Sequence, residues 1–172
     1  MGAMQVVTHN GVNIHVREDG EPTGRPMIFA NSLGSDLRVW DALLPCLPKG
    51  YRFIRWDKRG HGLSDATPAP YTIADHVCDM GTVMDALHAT DGAVAVGLSI
   101  GGQIVQGLAA ARSNQLAALA LLDTAAKPGD AETRNARIQG LEKGGPPAVA
   151  DMAIQRRVPP AHRPPTSPTT PP

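Results

Sequence analysis

The chain has 172 residues, a length that suits one domain and is enough to bury a real core. Sixteen basic residues balance sixteen acidic ones, so the formal net charge is zero and no electrostatic footprint for nucleic acid or an anionic membrane is present. Cys46 and Cys78 form neither a CxxC pair nor a Cys/His ligand set, no apolar run reaches the roughly 18 residues of a membrane span, and "MGAMQVVTHNG" is not a charged-then-apolar leader. The expectation is a soluble, cytoplasmic protein with two reduced, partly buried thiols and neither a nucleic-acid nor a membrane partner.

In chain order, "MQVVTHNGVNIHVRE" reads as a hairpin, two alternating strands around Asn10-Gly11. "RPMIFANSLG" is an apolar strand running into a Gly-containing loop. "SDLRVWDALLPCL" follows as a helix, with Ser35 or Asp36 as its N-cap and Pro48-Lys49-Gly50 as its stop. "YRFIRWD" is a strand, and "KRGHGLSDATPAP" is a Gly/Pro-rich loop. Ile73, Val77, Met80, Val83, Met84 and Leu87 make a helical stripe, with Thr72 and Asp75 as an N-terminal cap.

"GAVAVGL" is a buried strand, and "SIGGQIVQGLAAARS" is a helix that starts at or just after Ser99. "LAALALLD" is an apolar strand by position, although its Ala/Leu content suits a helix equally. Helices are expected over 131–143 and 147–157. Nine of the 16 prolines fall between Pro146 and Pro172, and 158–172 has too little apolar surface to offset its ordering entropy, so a disordered or polyproline-like tail is expected there. Strands alternating with helices imply an α/β fold: a mostly parallel sheet covered on both faces, with an antiparallel hairpin at one edge.

Gly97-Leu98-Ser99-Ile100-Gly101 is the pattern that carries chemistry. The pentapeptide alone says little. Here it stands where a strand turns straight into a helix, the setting a nucleophile elbow requires. So tight a turn needs residues with almost no side chain two before and two after the serine, and Gly97 and Gly101 meet that need. Ser99 is the candidate nucleophile, in a strained backbone conformation. The competing reading is a serine N-cap on a Gly-rich turn. The Ile100 N–H, at the helix start, and the Leu33 N–H, in the loop after the third strand, are the candidate oxyanion donors.

Three motifs carry a family resemblance: "NSLG" after the third strand, "DKRGHGLSD" after the fourth and "GLSIGG" after the fifth. Together they resemble the α/β-hydrolases. "NSLGSDLRVW", "GLSIGG" and "LLDTAAKPG" are similar to the 3-oxoadipate enol-lactonase branch, with a likeness running from about Met4 to Gly145. The resemblance implies an α/β-hydrolase core over 1–130, strands one to six only, the start of a helical cap over 131–157, and the tail over 158–172. It makes Asp57, Arg59 and Ser64 structural loop residues and His61 a loop histidine. It implies a small lactone or ester substrate, opened without metal or organic cofactor. Because the lactone bears a carboxylate, a cation is expected near it, with Arg38, Lys127 and Arg134 as candidates.

In this fold the acid and then the histidine follow the serine. Downstream of Ser99 the one histidine is His162, in the proline-rich tail. His9, His15, His76 and His88 lie on the early hairpin and the helices, where solvent-facing or locally satisfied roles are expected. Asp123, at the end of the sixth strand, is a candidate acid, with a polar strand-end role as the alternative; Asp151 has no supporting pattern. The general base is therefore unassigned. The change of composition near Arg156 resembles a reading-frame shift in a longer, truncated lactonase. Three functions are expected to compete: an enol-lactonase, another esterase or perhydrolase of the same fold, and a non-catalytic fragment. An unpaired edge at "QLAALALLD" predicts self-association.

Overall fold

Asn10 and Gly11 both take positive φ, +47° and +77°, the backbone of a type I′ turn, which joins two strands without splaying them. They link β1 (Met4–His9) to β2 (Val12–Gly20) as the antiparallel hairpin expected from the sequence. The structure is a computed structural model that describes residues 4–126 and, beyond them, Asn135, Ile138, Gln139, Gly140 and Lys143. The chain divides into two units, Met1–Ala126 and Lys127–Pro172. In the second unit the described residues are helical, within the helix expected over 131–143. The helix expected over 147–157 and the tail over 158–172 lie outside the described residues.

Four more strands complete the first unit: β3 (Arg25–Ala30), β4 (Tyr51–Trp56), β5 (Ala93–Leu98) and β6 (Leu116–Leu122). The sheet order is β1-β2-β4-β3-β5-β6; β2 runs antiparallel to β4, and β4, β3, β5 and β6 are mutually parallel. From β3 the chain crosses one way to β4 and later the other way to β5, so the topological switch lies beyond the C-terminal ends of β3 and β5. In open parallel sheets that crevice is where ligands bind.

Helices α1 (Ile73–Ala86) and α2 (Ile100–Arg112) cover one face. Met80, Val83 and Met84 of α1 and Ile104, Val105 and Leu108 of α2 bury against Ile14, Val16, Ile28, Ile54 and Trp56. Thr72 and Asp75 form the capping box read from the sequence: each side chain meets the other residue's backbone N–H. On the opposite face Trp40 packs on Met27, Phe29, Phe53 and Val96, and its ring centroid is 5.1 Å from that of Phe29.

Trp40 comes from the segment expected to be one helix. It is instead two short 3₁₀ turns, Leu37–Trp40 and Leu44–Cys46. Pro45 supplies no N–H, and backbone bonds of i→i+3 type run through the segment: Asp41 to Arg38, Leu43 to Trp40, Cys46 to Leu43. Asp36 is its cap, accepting the Arg38 N–H. The ambiguous "LAALALL" is a strand, because pairing with β5 from Ala93 to Leu98 overrides its helical composition. Among the described residues β6 pairs with β5 alone, and Leu119, Leu121 and Leu122 are 41%, 44% and 39% exposed. Both cysteines are free, as expected, but exposed rather than partly buried, since Cys78 faces outward from α1.

Candidate active site

β5 ends at Leu98 and α2 begins at Ile100, leaving Ser99 alone between them at φ +57° and ψ −118°. An L-residue in such a region costs on the order of 1–3 kcal/mol and persists only where its surroundings dictate it. Here they do. The Ser99 N–H donates to Leu122 O at 2.9 Å, and Ser99 O accepts from the Gly102 N–H at 2.9 Å and the Thr124 hydroxyl at 2.7 Å. The Ser99 side chain is half-buried and makes no cap to its own helix.

The three glycines of the motif are steric requirements. A Cβ on Gly97 would lie 2.4 Å from Gly101 O, and one on Gly102 would lie 2.5 Å from the Thr124 side chain. A Cβ on Gly101 would lie 1.9 Å from Ala30 O and 3.0 Å from Asn31 O. The last contact shows how closely the first turn of α2 presses on the end of β3. It is what brings the Ser99 turn beside the loop that carries Leu33.

That loop is held by polar contacts. Asn31 is fully buried; its side-chain amide donates to Ser35 O, and its Oδ1 accepts nothing among the described residues. Ser32 O accepts the Ser35 hydroxyl at 2.9 Å and the Ser35 N–H at 3.3 Å. Lys58, also fully buried, donates from Nζ to Asn31 O and Ser32 O, both at 3.1 Å. Burial pushes the Lys58 ammonium down to about 8, against the attraction of Asp57 and Asp36. The Leu33 N–H has no acceptor among the described residues.

His61 braces the same loop. Its Nε2 lies 3.2 Å from the Gly34 N–H and its Nδ1 3.2 Å from Arg59 O. A backbone N–H can only donate and a carbonyl can only accept, so Nε2 carries the lone pair and Nδ1 the proton. Burial, and then the Lys58 charge, hold this imidazole below its usual range, in keeping with the neutral form. Both nitrogens are spent on backbone groups, leaving none to take a serine proton.

Asp57 organises the loop behind. Its carboxylate accepts the Leu37 N–H at 2.7 Å, the Leu63 N–H at 3.0 Å and His15 Nδ1 at 2.8 Å. The Ser64 hydroxyl donates to Asp57 O at 2.6 Å and accepts the His15 N–H at 2.8 Å. Arg59 makes a two-pronged ion pair with the fully buried Asp79, both bonds 2.7 Å. His15 is thus locally satisfied at Nδ1 rather than solvent-facing, and His9 meets the Thr82 hydroxyl at 2.9 Å. His88 is exposed. His76 departs from expectation: it is buried, its Nδ1 has no partner among the described residues, and burial followed by the Lys58 charge pushes its pKa to about 4.

Of the other sequence candidates, Asp123 follows β6, exposed, at φ +42°. Arg38 is exposed, and its guanidinium closes on Asp36 with contacts of 2.6–3.1 Å. Lys127, Arg134, Asp151 and His162 lie outside the described residues. Lys58 and Thr124 were not singled out from the sequence. Their signal was slight, a lysine inside "DKRGHG" and a threonine after the last strand. A shallow groove of about 360 Å³ opens at the opposite end of the sheet, lined by residues including Arg25, Arg52, His88 and Asp91. Its guanidiniums are already engaged, Arg25 with Gly92 O and Arg52 with Glu18 and Leu87 O, so the Ser99 crevice is the better candidate.

A family model described as alpha/beta hydrolase fold matches residues 25–143. The chain is 31% identical over 150 residues to 3-oxoadipate enol-lactonase 2 of Acinetobacter baylyi, covering 87% of this chain and 56% of that protein. It is 33% identical over 124 residues to a non-heme chloroperoxidase of Streptomyces lividans, covering 72% and 45%. The crystal structure of the enol-lactonase from Burkholderia xenovorans LB400 superposes with a TM-score of 0.83 at 36% identity, covering 88% of this chain and 59% of that one. The chain thus spans about half the length of the curated relatives it matches.

Proposed function

We propose, for a chain that belongs to the alpha/beta hydrolase fold family, that Ser99 is the nucleophile of a carboxylic-ester or lactone hydrolase. The observation that carries the reading is the positive-φ backbone of Ser99 at the β5–α2 junction, kept there by three obligatory glycines and by Thr124. In this reading the strain serves to present the Ser99 hydroxyl to a ligand in the crevice at the switch point of the sheet. The substrate that the enol-lactonase relatives favour is 3-oxoadipate enol-lactone.

In this reading Ser99 Oγ bonds to the lactone carbonyl carbon, and the oxyanion lies between the Leu33 and Ile100 N–H groups. The ring C–O bond breaks, and the leaving enolate takes a proton to give the enol, which tautomerises to the ketone. Water then cleaves the acyl-serine and releases the carboxylic acid. Arg38 is the described cation proposed for the second carboxylate, once released from Asp36. Asp123 is the described candidate for the acid. The serine proton needs a base that the described residues do not assign.

The test is hydrolysis of enol-lactone and of aryl esters by this chain and by Ser99→Ala. Enol-lactone turnover lost in Ser99→Ala supports the reading. Aryl-ester turnover alone favours a general esterase, a reading to which the likeness to a Thermogutta terrifontis esterase, at TM-score 0.78 and 27% identity, lends weight. Turnover that survives Ser99→Ala overturns the assignment, and no turnover on either substrate favours a non-catalytic chain.

A further inference from the structure

A peptide group is planar and trans, so its C=O and the following N–H point in opposite directions from one rigid plate. The Leu33 N–H therefore shares its plate with the Ser32 carbonyl, and the Ile100 N–H shares its plate with the Ser99 carbonyl. Each carbonyl is tied from behind by a side chain of another element. Lys58 Nζ holds Ser32 O at 3.1 Å, and the Thr124 hydroxyl holds Ser99 O at 2.7 Å.

Lys58 is an unusual choice for such a tie. It is fully buried, and no carboxylate lies within ion-pair distance of it among the described residues. Its two protein bonds go to the neighbouring carbonyls of Asn31 and Ser32. An ammonium buried among carbonyl dipoles is costly to folding, and an apolar side chain there would be cheaper. Two effects at the Leu33 peptide offset that cost. Two anchored carbonyls in succession fix the orientation of the plate, and a cation on the carbonyl oxygen polarises the peptide so that its N–H becomes a stronger donor. His61, accepting the Gly34 N–H, fixes the far side of the same residue.

We infer that Lys58 is a positioning residue whose charge aims and strengthens the Leu33 N–H from behind, without touching substrate. The inference rests on the reading of Leu33 as an oxyanion donor. The titratable and charged neighbours of Lys58 are Asp57 on its own loop, Asp36 before the first 3₁₀ turn, His61, and His76 on α1. Asp36, His61 and His76 are all held below their ordinary ranges, so they do not change charge near the Lys58 transition at about 8.

The experiment uses the full chain, ¹⁵N-labelled, with benzeneboronic acid as a probe that adds to a serine hydroxyl and places a tetrahedral boronate oxygen at the oxyanion position. In the wild type without probe, the Leu33 and Gly34 amide resonances are expected to move together with a midpoint near pH 8 while Ile100 stays still. In Lys58→Met that titration disappears, and the boronate Kd rises about tenfold at pH 7, equivalent to about 1.4 kcal/mol. A Leu33 amide that stays still through the pH at which the Lys58 side chain itself loses its proton overturns the inference and needs no variant to fold. So does a folded Lys58→Met that binds boronate as the wild type does. Boronate bound equally by Ser99→Ala overturns the reading of Ser99, a failure distinct from the first because the pH response of Leu33 is read without any ligand.

Discussion

The Ser99 turn and the Leu33 loop meet across Gly101 and Ala30, yet they are held by unlike means. The Ser99 turn is fixed by the absence of atoms: three glycines, of which Gly97 and Gly101 leave no room against backbone and Gly102 none against the Thr124 side chain, and neutral hydrogen bonds from Gly102 and Thr124. The Leu33 loop is fixed by polar side chains: a buried ammonium and a neutral imidazole, both supplied by the loop that Asp57 organises. A steric lock is indifferent to pH and salt. An electrostatic one is adjustable, and it fails when a proton is lost.

The largest way to break the comparison is Gly101→Ala. Its methyl would sit 1.9 Å from a strand carbonyl that cannot yield, so the loss is expected to exceed about 5 kcal/mol, leaving little folded chain in a urea titration. A near-normal midpoint would show that the turn is not sterically locked. Next comes Asp57→Asn, which removes the carboxylate that collects two backbone N–H groups and His15. It should cost about 3–5 kcal/mol, with the amide shifts of 31–35 moving and those of 99–102 staying.

A smaller effect has the opposite sign. Between pH 8 and 10.5 the folded chain has released the Lys58 proton that the unfolded chain still holds, so the lysine makes stability rise with pH across that window. The rise is about 3 kcal/mol for the full difference in proton affinity. Lys58→Met should remove that slope, and the folded chain should be more stable than the wild type at pH 7. Denaturant midpoints at pH 7 and pH 10 check both. The smallest expected change is Thr124→Val, about 1 kcal/mol, with the Ile100 amide shifted and Leu33 undisturbed.

The two locks also differ in how far they were legible. Glycine spacing is a local signal, and "GLSIGG" after an apolar strand led to the turn, the helix start and the serine. The strands and the hairpin are legible for the same reason, since apolar runs and Asn-Gly are local; the order of the strands in the sheet is not. Lys58 was not, because its partners lie 26 and 27 residues away, and a lysine in a polar loop reads as solvated. The segment around Pro45 reads as a helix from its capping residue and its Pro-Lys-Gly stop, while the chain adopts i→i+3 bonding around a proline that supplies no N–H. His76 reads as a surface residue of an amphipathic helix; only the fold shows it enclosed near Lys58.

Trp40 and Trp56 are the two tryptophans of the chain, and both are buried, one in each hydrophobic layer. The protein therefore carries a separate intrinsic fluorophore on each side of its sheet. Trp56→Phe leaves emission that reports the layer beneath the 3₁₀ turns, and Trp40→Phe leaves emission that reports the layer beneath α1 and α2. Coincident red shifts of the two variants during denaturation would mark one cooperative transition. A lag between them would give the order in which the two sides of the sheet are wetted.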